Sequence, residues 1–178
     1  MRLNSLFRQR PLFLGAFLVC VALMATALTF QHIMNLEPCP LCVFQRVFVI
    51  VLGTIALIAA VQDPGLTGRR VYGVLIVVFG VLGMIVAGRH VWLQNLPADQ
   101  VPECGPGLEY MLEAFPLTEA LSLVFRGSGE CAVVQWEFLS LSIPGWTLVI
   151  FTAFTIFGLL LMAARLWRAP SGVAQGLE

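Results

Sequence analysis

Charge is what this 178-residue chain has least of: Asp, Glu, Lys and Arg together make up 11% of it, and all ten positive charges are arginine. A soluble domain carries about 25% charged residues. So few charges cannot cover the surface of a soluble core, which excludes an ordinary globular domain of this length. Ten acidic residues balance the arginines to a net charge of zero, so no bulk attraction to nucleic acid is expected. Internal repeats and low-complexity tracts are absent as well.

What the chain does have is apolar sequence in long runs. Hydrophobic residues make up 59%, and mean hydropathy is +0.91. The runs cover residues 12–30, 43–61, 71–88 and 146–164, each 18 or 19 residues long. About 20 residues cross roughly 30 Å of hydrocarbon at about 1.5 Å per residue. Over that length in lipid only a helix satisfies its own backbone. The expected fold is an all-α membrane protein: one domain, residues 1–178, built as a four-transmembrane-helix bundle in a lipid bilayer.

Arginine placement orients the bundle. Arg2, Arg8 and Arg10 precede the first run, Arg69 and Arg70 separate the second and third, and Arg165 and Arg168 follow the fourth. Arg46, Arg89 and Arg126 fall on the other side. The positive-inside rule then makes segments 1–11, 62–70 and 165–178 cytoplasmic, with both termini inside, and turns loops 31–42 and 89–145 outward. An arginine-rich start followed by Ala25-Thr26-Ala27 also resembles a cleavable signal peptide. Such a peptide has an apolar core of about 7–15 residues, and this run is longer, so a retained helix is expected. In the second outer loop, residues 96–107 are rich in Pro and Gly and read as irregular. Leu108, Met111, Leu112, Phe115, Leu121, Val124 and Phe125 then recur at helical spacing, which predicts a short amphipathic helix along the membrane surface, broken near Pro116.

Four of the five cysteines, Cys39, Cys42, Cys104 and Cys131, lie in the outward loops, where disulfides persist. Cys20, inside the first run, reads as a small buried apolar residue. Four cysteines permit three connectivities. Cys39-Pro40-Leu41-Cys42 makes the first two the close pair and leaves Cys104 with Cys131. Pro40 suits a first helical turn, which puts Cys42 near a helix N-terminus whose partial positive charge favours a thiolate. Arg46 follows one turn later on the same face. An arginine there either snorkels to the interface or serves the thiolate or a polar oxygen of a bound cofactor, which offsets its cost in a membrane. Cys104, in a Pro- and Gly-rich setting, is reachable by an incoming thiolate. By itself the Cys104–Cys131 pair fits a structural staple as well as a redox role, and the CxxC favours redox through mixed-disulfide exchange. A zinc site from the cysteines with His32 and His90 is disfavoured, since the second half lacks ligands at zinc spacing. No metal is expected.

These words together resemble the disulfide bond formation protein B (DsbB) family of quinone-linked thiol oxidases. The match runs through Phe30-Gln31-His32, Pro38-Cys39-Pro40-Leu41-Cys42 with Gln45-Arg46, Gly129-Glu130-Cys131-Ala132, Gln135-Trp136, Phe138-Leu139 and Pro144-Gly145-Trp146. The resemblance implies a bacterial inner-membrane enzyme whose partner is a periplasmic thioredoxin-fold oxidant resembling DsbA. That partner attacks Cys104 and releases Cys131, which can transiently bond the position of Cys39. Electrons reach Cys39–Cys42 and then a quinone of the ubiquinone or menaquinone type from the membrane pool. Arg46 and, just after the third helix, His90 are implied near that quinone. A DsbA-like oxidant at about −120 mV is recharged poorly by glutathione, which makes a stronger acceptor necessary. Two positions depart from some members: Gln45 where they carry an acid, and Pro40 where they carry an aliphatic residue. Two other classes compete. One is a non-catalytic assembly factor with structural disulfides. The other is an oxidoreductase of the vitamin K epoxide reductase type, whose CxxC lies late in its chain.

Overall fold

The computed structural model describes residues 10–97, 99–101, 116 and 129–163. Four long helices make up most of it: α1 (Arg10–His32), α2 (Pro40–Gln62), α3 (Leu66–Gln94) and α5 (Ile143–Ala163). All four are long and apolar enough to cross a membrane. A one-turn helix, α4 (Gly129–Ala132), and a two-residue hairpin, β1 (Glu137–Phe138) with β2 (Leu141–Ser142), precede α5. The expected amphipathic helix over residues 108–125 lies outside the described residues.

The helices outrun the apolar stretches that announce them. α3 is 29 residues long, about 44 Å at 1.5 Å per residue, where its apolar run has 18. Arg69 and Arg70 extend it at one end and Arg89, His90 and Gln94 at the other. Hydropathy marks the lipid-facing middle of a helix, whereas backbone hydrogen bonding continues into the polar interface. His90 therefore sits within α3, not after it.

Between α2 and α3 the chain turns in three residues. Asp63 caps α2 in the left-handed region (φ 45°), its N–H donating to the Ala59 carbonyl. Asp is among the few non-glycine residues that visit this region readily, and Pro64 prevents the helix from continuing. Arg10 reaches Asp63 at 3.1 Å, which sets the start of α1 at this end of the bundle. The cysteines lie at the other end.

α3 and α5 pack most closely. A Cβ on Gly158 would come within 2.8 Å of the Gly73 carbonyl, and one on Gly83 within 2.6 Å of the Phe151 ring. In lipid, where apolar burial gives little drive, small residues hold helices together by letting their backbones approach. The central core joins Phe13, Cys20, Leu52, Ala59, Ile76 and Phe151. Cys20 is 3% exposed and lies against Gly53, as its apolar setting implied. Phe13 and Phe157 meet edge-to-face at 6.1 Å, joining α1 to α5 near the Asp63 end. Towards the cysteine end the two helices are separated by a cavity.

Candidate active site

Pro40 opens α2 at the position where an N–H would have no partner. Cys39 is the N-cap residue, in extended conformation, and its side chain makes no capping hydrogen bond. Its sulfur instead lies 3.3 Å from that of Cys42, in the first turn. The pair stands as a dithiol at the positive end of the helix.

Three further elements converge on these sulfurs. From α3, His90 places Nε2 3.7 Å from Cys39 Sγ and Nδ1 4.0 Å from Cys42 Sγ. His90 is only 2% exposed and Gln45 only 4%, so each needs a partner. Gln45 Nε2 lies 3.1 Å from His90 Nδ1, and the Thr147 hydroxyl, from α5, donates to Gln45 Oε1 at 2.6 Å. From α4, Cys131 is buried in one cluster with Cys39, Leu41, Val86 and Leu93. Cys39, Cys42 and His90 also have the composition of a metal-binding group, with ligand atoms all within 4.8 Å of one another. His32, the last residue of α1, is exposed and is not part of that group.

On the other side of Cys42 lies the cavity, about 390 Å³, between α1, α2, α5 and the hairpin segment. Phe30, Trp136 and Trp146 line it, and Cys42, Gln45 and Arg46 supply polar groups. Its aromatic wall is a continuous row of rings, stacked at Trp136–Phe138 and tilted at the other two contacts. Trp136 lies 5.1 Å from Phe30 and 5.9 Å from Phe138, and Phe138 lies 6.2 Å from Trp146. The Trp146 indole N–H donates to the Phe138 carbonyl at 3.1 Å, tying the hairpin to α5. Arg46 is held across to α1, donating to the Gln31 side chain and to the Ala27 carbonyl.

Of the residues expected from sequence, Cys39, Cys42, Cys131, His90 and Arg46 come together at this end of the bundle. Cys104 lies outside the described residues. Sequence reasoning missed the structural roles of Gln31, Gln45 and Thr147, and also the aromatic wall. Gln45 carried a usable signal, a polar residue one turn from a cysteine in an apolar helix. Thr147 carried none, because 102 positions separate it from Gln45.

Comparison with known proteins identifies the family. The sequence profile of the family described as "Disulfide bond formation protein DsbB" matches residues 9–161. The chain is 60% identical over 139 residues to "Disulfide bond formation protein B" of Nitrosococcus oceani, covering 78% of this chain and 82% of the relative. It is 50% identical over 168 residues to the protein of the same name from Saccharophagus degradans, covering 94% and 97%. With "Disulfide bond formation protein B 1" of Pseudomonas aeruginosa it shares 47% over 156 residues, 88% and 96% of the two chains. A profile match across nearly the whole chain, joined to a dithiol at the head of a membrane helix, makes this chain a disulfide-forming, multi-pass membrane protein of the DsbB family.

Proposed function

We propose that this protein is a protein-dithiol:quinone oxidoreductase of the bacterial inner membrane, which reoxidises a periplasmic thioredoxin-fold disulfide donor of the DsbA kind. The observation that carries the reading is the position of Cys42. It borders the apolar cavity, which Cys39 does not, while both cysteines border the cleft beside His90 and Glu130. One dithiol thus faces two spaces, one fit for a membrane-soluble acceptor and one on the side of Cys131.

The cavity suits a quinone. Its volume falls in the range of small-molecule sites, about 300–1,000 Å³. Phe30, Trp136 and Trp146 offer flat apolar faces to a ring, and Arg46 and Gln45 offer donors to its carbonyl oxygens. A quinone held there supplies an acceptor for two electrons and two protons.

The chain's own sulfurs do the rest. Cys104 takes up the partner's attacking thiolate, and Cys131 leaves as thiolate. When the mixed disulfide resolves, the partner holds a disulfide and the Cys104–Cys131 pair is a dithiol. Cys131, buried beside Cys39, then attacks Cys39 in the Cys39–Cys42 disulfide and displaces Cys42 as thiolate. Closure of Cys104–Cys131 leaves both electrons on Cys39 and Cys42, with His90 within reach of both sulfurs to hold a proton.

Purified protein given a reduced partner and a soluble quinone should bleach the quinone over many turnovers. Cys42→Ser should abolish that bleaching. A folded sample that bleaches none, or a Cys42→Ser variant that keeps full turnover, would refute the assignment.

A further inference from the structure

We propose that the Cys39–Cys42 dithiol and His90 form a binding site for one thiophilic divalent cation of the Zn²⁺ type, open only in the reduced protein. The inference rests on the reading that this pair cycles between disulfide and dithiol, and it adds a form of regulation to that cycle.

The geometry comes first. A tetrahedral zinc ion bonds sulfur at about 2.3 Å and imidazole nitrogen at about 2.0–2.1 Å, which sets two sulfurs about 3.8 Å apart and sulfur and nitrogen about 3.6 Å apart. Here Sγ–Sγ is 3.3 Å and Cys39 Sγ to His90 Nε2 is 3.7 Å. The three ligand atoms all lie within 4.8 Å of one another, so movements of about an ångström close the site. Cys39, Cys42 and His90 share a small cleft with Gln94 and Glu130, and its volume of about 20 Å³ holds one water-sized body. A fourth ligand position is thereby left to water.

Support behind the histidine is also present. A metal-bound imidazole normally donates its other N–H to an oxygen. The Thr147 hydroxyl lies 2.6 Å from Gln45 Oε1 and 2.9 Å from the Pro144 carbonyl, and its single proton serves one at a time. With that proton on Gln45, the amide N–H faces His90 Nδ1. With it on Pro144, the amide can turn over, donate to Thr147 and accept from an Nδ1–H. The same pair therefore accommodates both the metal-free and the metal-bound ring.

Binding releases two thiol protons to solvent and changes no oxidation state. Oxidation of the pair to a disulfide removes both thiolates and expels the ion, so the site reports the redox state. Zinc bound there holds the enzyme in its dithiol form.

Cobalt titration of the full chain in detergent tests this. After anaerobic reduction and removal of reductant, a variant with Cys104→Ser and Cys131→Ser should develop thiolate-to-cobalt absorption that saturates at one equivalent and is displaced by Zn²⁺. The same sample reoxidised should show none, a comparison that needs no further substitution. Gln45→Leu should weaken binding about 10- to 100-fold, and His90→Ala at least as much. A silent reduced protein, or His90→Ala titrating like its parent, overturns the site. Because no quinone or partner is involved, a chain that bleaches quinone but binds no cobalt refutes the site alone. A chain that binds cobalt but bleaches no quinone refutes the proposed activity instead. In a working assay Zn²⁺ should slow turnover and a chelator restore it; unaffected turnover overturns the regulation.

Discussion

Arg46 has five N–H donors, and two of its nitrogens are engaged by Gln31 and Ala27 on α1. The remaining N–H groups are available to the cavity that Arg46 lines. A charge-assisted hydrogen bond contributes roughly 1.5–3 kcal/mol, so Arg46→Ala should raise the quinone KM about tenfold or more. Disulfide exchange with the partner should be nearly unchanged, because the sulfurs lie a turn away. Steady-state kinetics over a quinone series settle this, and an unaltered KM would remove Arg46 from the site. Thr147 acts only through Gln45 and is a positioning residue. Thr147→Val removes the donor that orients the amide and lets His90 sample a second tautomer. Turnover should fall several-fold and its pH profile should shift, while Thr147→Ser restores both. A fall with an unmoved profile would indicate packing alone. The grouping of Cys39, Cys42 and Arg46 was legible in sequence because local spacing sets it: CxxC, then one helical turn. His90 was legible only through resemblance, and Gln31 and Thr147 not at all, since the contacts that define them cross between helices.

At the level of elements, hydropathy located all four spanning helices but not the polar turns by which α2 and α3 outrun their apolar stretches. α2 begins at Pro40, three residues before its apolar run, because proline and the N-cap define a helix start whatever the hydropathy. The hairpin had no signal either. Its turn residues, Leu139 and Ser140, both have positive φ, where Asn-Gly would be the readable pair. Trp146 and the aromatic row hold it instead. The glycines of the α3–α5 seam set the distance between two helices that both reach the candidate site. Gly158→Val would drive a branched side chain into the Gly73 carbonyl and Val77. Overpacking of this kind costs about 1–3 kcal/mol, and denaturant titration in mixed micelles should show that loss. Gly15, with open space around its Cβ position, should tolerate Ala without loss and serves as the control.

Taken whole, the bundle is a chain of contacts that stays open at one end. α1 packs on α2, α2 on α3 and α3 on α5, whereas among the described residues α1 and α5 meet less closely, Phe13 against Phe157 near the Asp63 end. The wedge left towards the cysteines is the cavity, so the helix order itself opens the space beside Cys42. The two ends also differ in chemistry. Arg10, Asp63, Arg69 and Arg70 gather at the turn between α2 and α3, and the dithiol, Cys131 and the hairpin gather at the other. Arginine is retained on the cytoplasmic side, and disulfide exchange needs the oxidising side; both rules orient the molecule the same way. Alkaline phosphatase fused after Gly65 should therefore be inactive in cells, and fused after Gln100 active, because the reporter folds only once exported. A maleimide that cannot cross membranes should label reduced Cys42 from outside in intact spheroplasts and fail to label a cysteine placed at Gly65. Labelling in the reverse pattern would place the dithiol in a reducing compartment, where a disulfide could neither persist nor be passed on.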